Sequence, residues 1–307
     1  MNITADPARL CVHQVTLMAQ CDFRQSVECL ARNGITKTAV WRDKLDAIGV
    51  TDAASILGDH GVEAVALCPG GLPTHRDPAG FRSALGDNRR SLDWAAAIGA
   101  KSLVTITGGL GEDETDLGFA RNRALEGLAR LVPPARAAGV RLALEPLHPM
   151  VRGNRSVIST YREANTWLDQ LDADDVMGIA LDTYAVWWEP DLQREIARAG
   201  ERIVAFHVSD WLADTTDIRL DRGMPGDGLI DLPAIRRWAE TAGYPGPIEV
   251  EIFSQRDWWT RDPDVVVQTI LDRYGRAFYG GQCALTRISG PNLMRISRPT
   301  DRHPAPQ

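Results

Sequence analysis

Eight short apolar, β-rich runs recur along the chain at nearly even intervals: LCVHQVTL, TKTAVW, VEAVALC, SLVTITGG, RLALEP, VMGIALDTY, RIVAFHVSDW and PIEVEIFS. They begin near residues 10, 36, 62, 102, 141, 176, 202 and 247, about 34 residues apart, which is room for one strand, one helix and two loops. Strands alternating with helices in this way lie parallel, each joined to the next by a helical crossover. The helices carry matching signals: Asp22 opens DFRQSVECLARNG, Gly34 closes it, and a long helical stretch runs from Thr115 to Gly139. Eight such units without an early GxGxxG predict an α/β fold, a single (β/α)8 TIM barrel over residues 1–278, rather than an open doubly wound sheet. Residues 279–307, with four prolines and several arginines, read as an irregular tail, either disordered or wrapped around a partner subunit.

The rest of the composition narrows the function. A content of 44% apolar and 24% charged residues is that of an ordinary globular protein. A net charge of −7 disfavours a protein that lives on nucleic acid phosphates. No apolar run reaches the length of a membrane span, and MNITADPARL lacks a basic segment followed by an apolar one; a cytoplasmic protein is the default expectation. Cys11, Cys21, Cys29, Cys68 and Cys283 show no CxxC pairing, so neither a zinc ribbon nor a disulfide framework is indicated.

Side chains alternate across a strand, so each run can be tested for which residues share a face. If Leu142 and Leu144 face the helices, Ala143 and Glu145 face the barrel axis. The same parity turns Ile179 and Leu181 outward and Ala180 and Asp182 inward. It turns Val204, Phe206 and Val208 outward with Ala205 and His207 inward, and Ile248, Val250 and Ile252 outward with Glu249 and Glu251 inward. Glu145, Asp182, His207 and Glu251 then stand at the carboxyl ends of four consecutive strands, the active-site face of such a barrel. Three carboxylates and an imidazole form a hard, oxygen-rich set that suits one divalent ion, Mn²⁺ first, with Mg²⁺, Co²⁺ or Zn²⁺ as alternatives. A single strand-end acid is more often a helix cap or an ion-pair partner; the reading rests on four residues passing one test.

At these residues the sequence resembles the xylose isomerase-like TIM barrels, a family of sugar phosphate isomerases/epimerases. It includes ketose 3-epimerases, inosose isomerases and dehydratases, and the endonuclease IV branch. LALEPLHP, GIALDTYAVWW, FHVSDW, RGMPGDGLIDL and IEVEIFS carry the resemblance, which covers about residues 10 to 275. It implies that Glu145, Asp182, His207 and Glu251 hold one divalent ion. Many relatives have a histidine where this chain has Ala185. The endonuclease branch needs histidines after strands three and four and an Asp-Arg-His motif; here those places read LCPGG, TITGG and DRG, so no action on DNA is expected.

The implied reaction is isomerisation or epimerisation of a keto sugar or keto-cyclitol through an enediolate stabilised by the ion, with Glu145 or Glu251 removing the proton and its partner returning one. If the enediolate expels a β-leaving group, the same site is a lyase: an inosose-type dehydratase or a cleaver of 3-keto-glycosides. A non-catalytic sugar-binding subunit is the third reading. His148, three residues past Glu145, is a candidate base or hydroxyl contact, or a solvated loop residue. Trp41, Arg42, His75, Trp187, Trp211 and Arg222 are candidate substrate contacts. Trp188, Trp258 and Trp259 crowd the same loops, where ordinary packing or a subunit interface accounts for them equally well. His13 reads as either interior or core, and the GMPGDG turn as a phosphate cradle or a plain loop. Relatives are often dimers or tetramers, so the resemblance implies a homo-oligomer, with a small-molecule substrate and neither nucleic acid nor membrane as partner.

Overall fold

A computed structural model of the chain describes residues 6–71, 74–111 and 114–279. All eight expected strands are present: β1 (Leu10–Val12), β2 (Lys37–Trp41), β3 (Glu63–Gly71), β4 (Ser102–Ile106), β5 (Arg141–Leu144), β6 (Met177–Asp182), β7 (Ile203–Val208) and, after two short strands, β10 (Ile248–Val250). They form one parallel sheet in the order β1-β10-β7-β6-β5-β4-β3-β2. The two ends of that order, β1 and β2, meet through side chains: Thr38 Oγ1 donates to Val12 O at 2.8 Å and the Trp41 N–H to Gln14 Oε1 at 3.0 Å. The barrel is therefore nearly closed, and helices cover its outside.

Local signals act where the sequence places them. Asp22 caps helix Phe23–Arg32 in a reciprocal capping box with Gln25. Helix Leu117–Ala138 is capped by Asp116 and ends on Gly139 in the left-handed conformation, φ 66°. The last helix, Pro263–Tyr279, runs one residue past the expected end of the barrel; the expected tail from residue 280 onward lies outside the described residues.

The two faces of the sheet differ in kind. Leu142, Leu144, Ile179, Leu181, Phe206, Val208, Ile248 and Val250 pack outward into the main core against the helices. Inside, Cys11, Ala39, Ala66, Cys68, Val104, Ala143, Ala180 and Ala205 form a separate cluster. Barrel interiors are usually filled by bulky branched residues. Small residues here leave room on the axis for the polar side chains one step further along each strand. In β7 parity fails at one position: β6 and β7 shift register between Ile179 and Ala180, pairing Ile203 and then Ala205, and β3 has a similar shift at Val65. Val204 is the extra residue of a bulge, and it packs against the interior cluster instead of facing out.

Two short strands, β8 (Asp210–Trp211) and β9 (Arg222–Gly223), form an antiparallel ribbon after β7 that places Arg222 opposite Trp211. The Arg222 N–H also donates to Phe253 O at 2.9 Å, tying the ribbon to the segment after β10. On the opposite side, buried Lys44 holds the loop after β1 through the carbonyls of Cys21 (2.7 Å), Leu17 (3.1 Å) and Gln14 (3.3 Å). Among the described residues no helix is long and apolar enough to cross a membrane.

Leaving buried carbonyls unmet costs about 1–3 kcal/mol. Lys44→Met is therefore expected to lose stability on that order in urea denaturation with an unchanged slope; no loss would show that water replaces the ammonium.

Candidate metal centre

Glu145, His207 and Glu251 each offer a ligand atom within 4.8 Å of the others, and all three are buried. His207 Nδ1 is 3.0 Å from Glu145 Oε1 and 3.9 Å from Glu251 Oε2. Glu145 is held at the end of β5, where its N–H donates to Thr105 O at 3.0 Å. Asp182, fully buried at the end of β6, accepts the Tyr184 N–H on Oδ1 at 3.0 Å. Its Oδ2 lies 3.3 Å from Arg222 Nη2, while Arg222 Nη1 donates to Glu251 Oε2 at 3.0 Å. One guanidinium thus spans two carboxylates.

Behind this group lies a second pair. His13 follows β1, fully buried, with Nε2 3.1 Å from Glu249 Oε2 and Nδ1 3.3 Å from Glu251 Oε1. Its ring meets that of His207 edge to face, centroids 4.6 Å apart.

Burial favours the neutral form of every one of these groups, and the neighbouring charges work against it. For His207 burial alone would lower the pKa, but the hydrogen bond to Glu145 and the fields of Glu251, Glu145 and Glu249 raise it to about 10. His13 is raised in the same way, against burial, by Glu249 and Glu251. Glu251 is held well below the carboxylate range despite burial by His13, Arg222 and His207. Asp182 goes the other way: burial raises it, Arg222 opposes, and Glu145 and Glu251 add to the rise.

The family model of the xylose isomerase-like TIM barrel matches residues 25–270. The chain belongs to that family. It is 43% identical to protein SMc04130 of Sinorhizobium meliloti 1021, whose crystal structure superposes with a TM-score of 0.86 over 89% of this chain and 99% of that one. A curated inosose isomerase of Bacillus velezensis is 23% identical over 80% of this chain and 88% of its own length. The structure of an IOLI protein with a bound zinc atom shares 19% identity and a TM-score of 0.75, covering 88% of this chain and 99% of that one.

Within this xylose isomerase-like barrel the donor set fits a divalent ion. The carboxylates and the imidazole converge, and Asp182 Oδ2 is a buried acceptor with no hydrogen-bond partner among the described residues. Asp182 stands beside the group of three rather than within it, turned toward Arg222.

The candidate substrate contacts separate into distinct places. His148 stacks on Trp211 (4.7 Å) and meets Trp188 edge-on (6.1 Å). Tyr184 stacks on the same indole (4.8 Å), and Trp187 lies tilted against it (5.8 Å). Trp41 joins a second aromatic group with Phe253 and Trp259, while Trp258 goes into the core. Arg222 lies between the two groups, 4.6 Å from the Tyr184 ring and 4.8 Å from that of Phe253. Arg42 and His75 instead line a separate cavity of about 620 Å³ beside Gly70 and Gly71, where Arg42 Nη1 is 2.7 Å from Asp87 Oδ2. In the GMPGDG turn the Gly226 N–H is 2.9 Å from Asp210 Oδ2, so it is taken internally. Gly228 is required there: a Cβ would lie 2.2 Å from Trp211 O. Ala185 is buried in the outer core.

Sequence reasoning missed Tyr184, Phe253 and the part played by His13 and Glu249. Parity had already turned Glu249 inward, which was the one signal available.

A divalent ion held by Asp182 and Glu251 would compete there with Arg222, so on that reading Arg222→Met should bind Mn²⁺ a few-fold to about tenfold tighter by calorimetry; weaker binding would show that Arg222 builds the centre. Because an ion at His207 Nδ1 displaces the proton there, uptake at pH 7–8 should release about one proton, and affinity should rise with pH toward about 10. Calorimetry in buffers of different ionisation enthalpy reads that proton.

Proposed function

We propose that this chain is a divalent-metal-dependent isomerase or epimerase of a keto sugar or keto-cyclitol, with Glu145, Asp182, His207 and Glu251 as the ligands. The observation that carries the reading is the convergence of Glu145, Glu251 and His207 on one buried point at the active-site end of the barrel. The inosose isomerase relative, a protein named for a keto-cyclitol reaction, and the zinc of the IOLI protein support it. A bound divalent ion supplies Lewis-acid polarisation of a carbonyl and its neighbouring hydroxyl.

The chain's own residues do the remaining work. Glu251 is ionised and held from one side by Arg222 and from the other by His13, which fixes the direction of its lone pairs. It is the group prepared to take a proton from a carbon next to a carbonyl; Glu145, across His207, is the partner that returns one. Return to the opposite face gives an epimer, and return to the next carbon an isomer.

Burial lowers the His148 pKa to about 4, and its Nδ1 accepts the Met150 N–H at 3.3 Å. The ring is therefore neutral, with its proton on Nε2: a hydrogen-bond donor to a substrate hydroxyl. Trp187, Trp211 and Trp41 provide flat apolar faces for the C–H side of a sugar ring. The buried Nε1 of Trp41 and of Trp187, without partners among the described residues, remain to bind hydroxyls. Arg222, between the aromatic groups, orients a substrate oxygen near Glu251; Arg42 and His75, which line a separate cavity, take no part in this reading.

The test begins with elemental analysis of the purified protein, in which about one divalent ion per chain is expected, Mn²⁺ foremost. Glu251→Gln should weaken its binding by at least about tenfold. A screen of keto sugars and inososes in D₂O should then give products carrying one solvent deuterium. Loss of water or of an aglycone instead would identify the lyase reading, and failure to take up any supplied ion would sink the mechanism. His148→Ala should raise KM more than it lowers kcat; a profile changed only in kcat would make His148 a proton-transfer residue.

A further inference from the structure

A second group of metal-binding side chains lies against the first, and it contains a thiol. His13, Cys68 and His207 each offer a ligand atom within 4.8 Å of the others, and all three residues are at most 2% exposed. Cys68 belongs to β3 and shares the interior face with Ala66, so its sulfur sits on the axis and not among the helices. Sequence reasoning treated it as one of five unpaired cysteines.

Each imidazole in this group is hydrogen-bonded through one nitrogen and makes no hydrogen bond at the other, although His13 Nδ1 lies 3.3 Å from Glu251 Oε1 and His207 Nε2 3.9 Å from Glu249 Oε2. His13 Nε2 is 3.1 Å from Glu249 Oε2, and Glu249 is itself fixed by the Phe206 N–H, 3.3 Å from Oε1. His207 Nδ1 is 3.0 Å from Glu145 Oε1. The remaining nitrogens, His13 Nδ1 and His207 Nε2, are buried without a hydrogen-bond partner among the described residues. An imidazole tied to a carboxylate on one side presents an oriented lone pair on the other, which is the usual support of a metal-ligating histidine. Two such rings next to a buried thiol account for Glu249, a buried carboxylate that the proposed reaction does not use.

We propose that His13, Cys68 and His207 form a second metal site, selective for a thiophilic divalent ion such as Zn²⁺ or Cd²⁺. Two imidazole nitrogens and a thiolate are a softer set than the carboxylate-rich centre beside it, so the two sites sort ions by chemistry. Bonds of 2.0–2.3 Å in a tetrahedral site put ligand atoms about 3.4–3.7 Å apart; the side chains close by about an ångström. The Cys68 S–H bond breaks as the sulfur–metal bond forms, any protons on His13 Nδ1 and His207 Nε2 are lost as those nitrogens bind, and all of these protons leave to solvent. His207 turns Nδ1 toward Glu145 and Glu251 and Nε2 toward Glu249, so the two centres meet at one ring.

The test is a Cd²⁺ titration of the purified full chain, following the ultraviolet thiolate-to-cadmium charge-transfer absorption, with Mn²⁺ binding measured separately by calorimetry. The wild type should develop the band to about one equivalent. Cys68→Ser should lose the band and still bind Mn²⁺. No band in the wild type overturns the site, as does a band that survives in Cys68→Ser, because it then belongs to another thiol. Should Cys68→Ser fail to fold, His13→Gln decides: it keeps the thiol and should weaken cadmium binding by at least about tenfold, and an unchanged affinity overturns the proposal. Loss of Mn²⁺ binding in the wild type would strike the reading of the carboxylate centre and leave the cadmium result standing.

Discussion

Four carboxylates, Glu145, Asp182, Glu249 and Glu251, are enclosed within the barrel at 7% exposure or less. A charge taken out of water is stable only when opposite charge and hydrogen bonds stand within reach. Here they do: His207 is on Glu145, His13 bridges Glu249 and Glu251, and Arg222 bridges Glu251 and Asp182. Glu145 has only His207 and Asp182 only Arg222 within ion-pair distance among the described residues, so removing either cation leaves an acid uncompensated. The arrangement of the loops serves this pairing. Arg222 reaches the acids because β9 pairs with β8, which follows directly on β7, and is hydrogen-bonded to the segment after β10, and because its guanidinium lies against the rings of Tyr184 and Phe253.

Packing on the two faces of the sheet makes the enclosure feasible. The outward residues are large and form the continuous core against the helices, where burial supplies most of the stability. The inward residues just before the polar ones are alanines on β5, β6 and β7: Ala143, Ala180 and Ala205. A leucine at any of these positions would fill the axis that the imidazoles and carboxylates occupy. The same strands therefore perform two tasks at adjacent positions, and the period of two keeps them apart.

That period is why so much was legible in the sequence. The eight strands, their order and the inward direction of Glu145, Asp182, His207 and Glu251 all follow from alternation and spacing, which are local properties of the chain. What escaped depends on contacts between distant segments. His13 sits between Glu249 and Glu251, some 236 residues away in sequence for the first of them, and nothing in LCVHQVTL announces that partner. The bulge at Val204 breaks parity with no glycine in β7 itself; the glycine that makes room for it, Gly178, is on β6, where a Cβ would lie 2.5 Å from the Val204 side chain. Tyr184 and Phe253 matter because Arg222 lies between them, and Arg222 does so because of a two-residue ribbon too short to have a pattern of its own. Of the loop tryptophans, Trp187, Trp188 and Trp211 gather around His148 while Trp258 turns into the core; loop composition alone did not separate them.

The charges also say how an ion would be accommodated. His207 and Arg222 face these acids as cations, Glu249 and Glu251 raise the His13 pKa against its burial, and burial, with Glu145 and Glu251 adding to it, raises the Asp182 pKa to about 6. Exchanging the His207 proton for a divalent ion would replace one positive charge with two among these acids. Asp182, whose Oδ2 lies 3.3 Å from Arg222 Nη2 without a hydrogen bond, would then be held in its ionised form by the ion as well as by Arg222. On this account Arg222 and the His207 proton are internal counter-charges beside the enclosed acids, and a bound ion would compete with both.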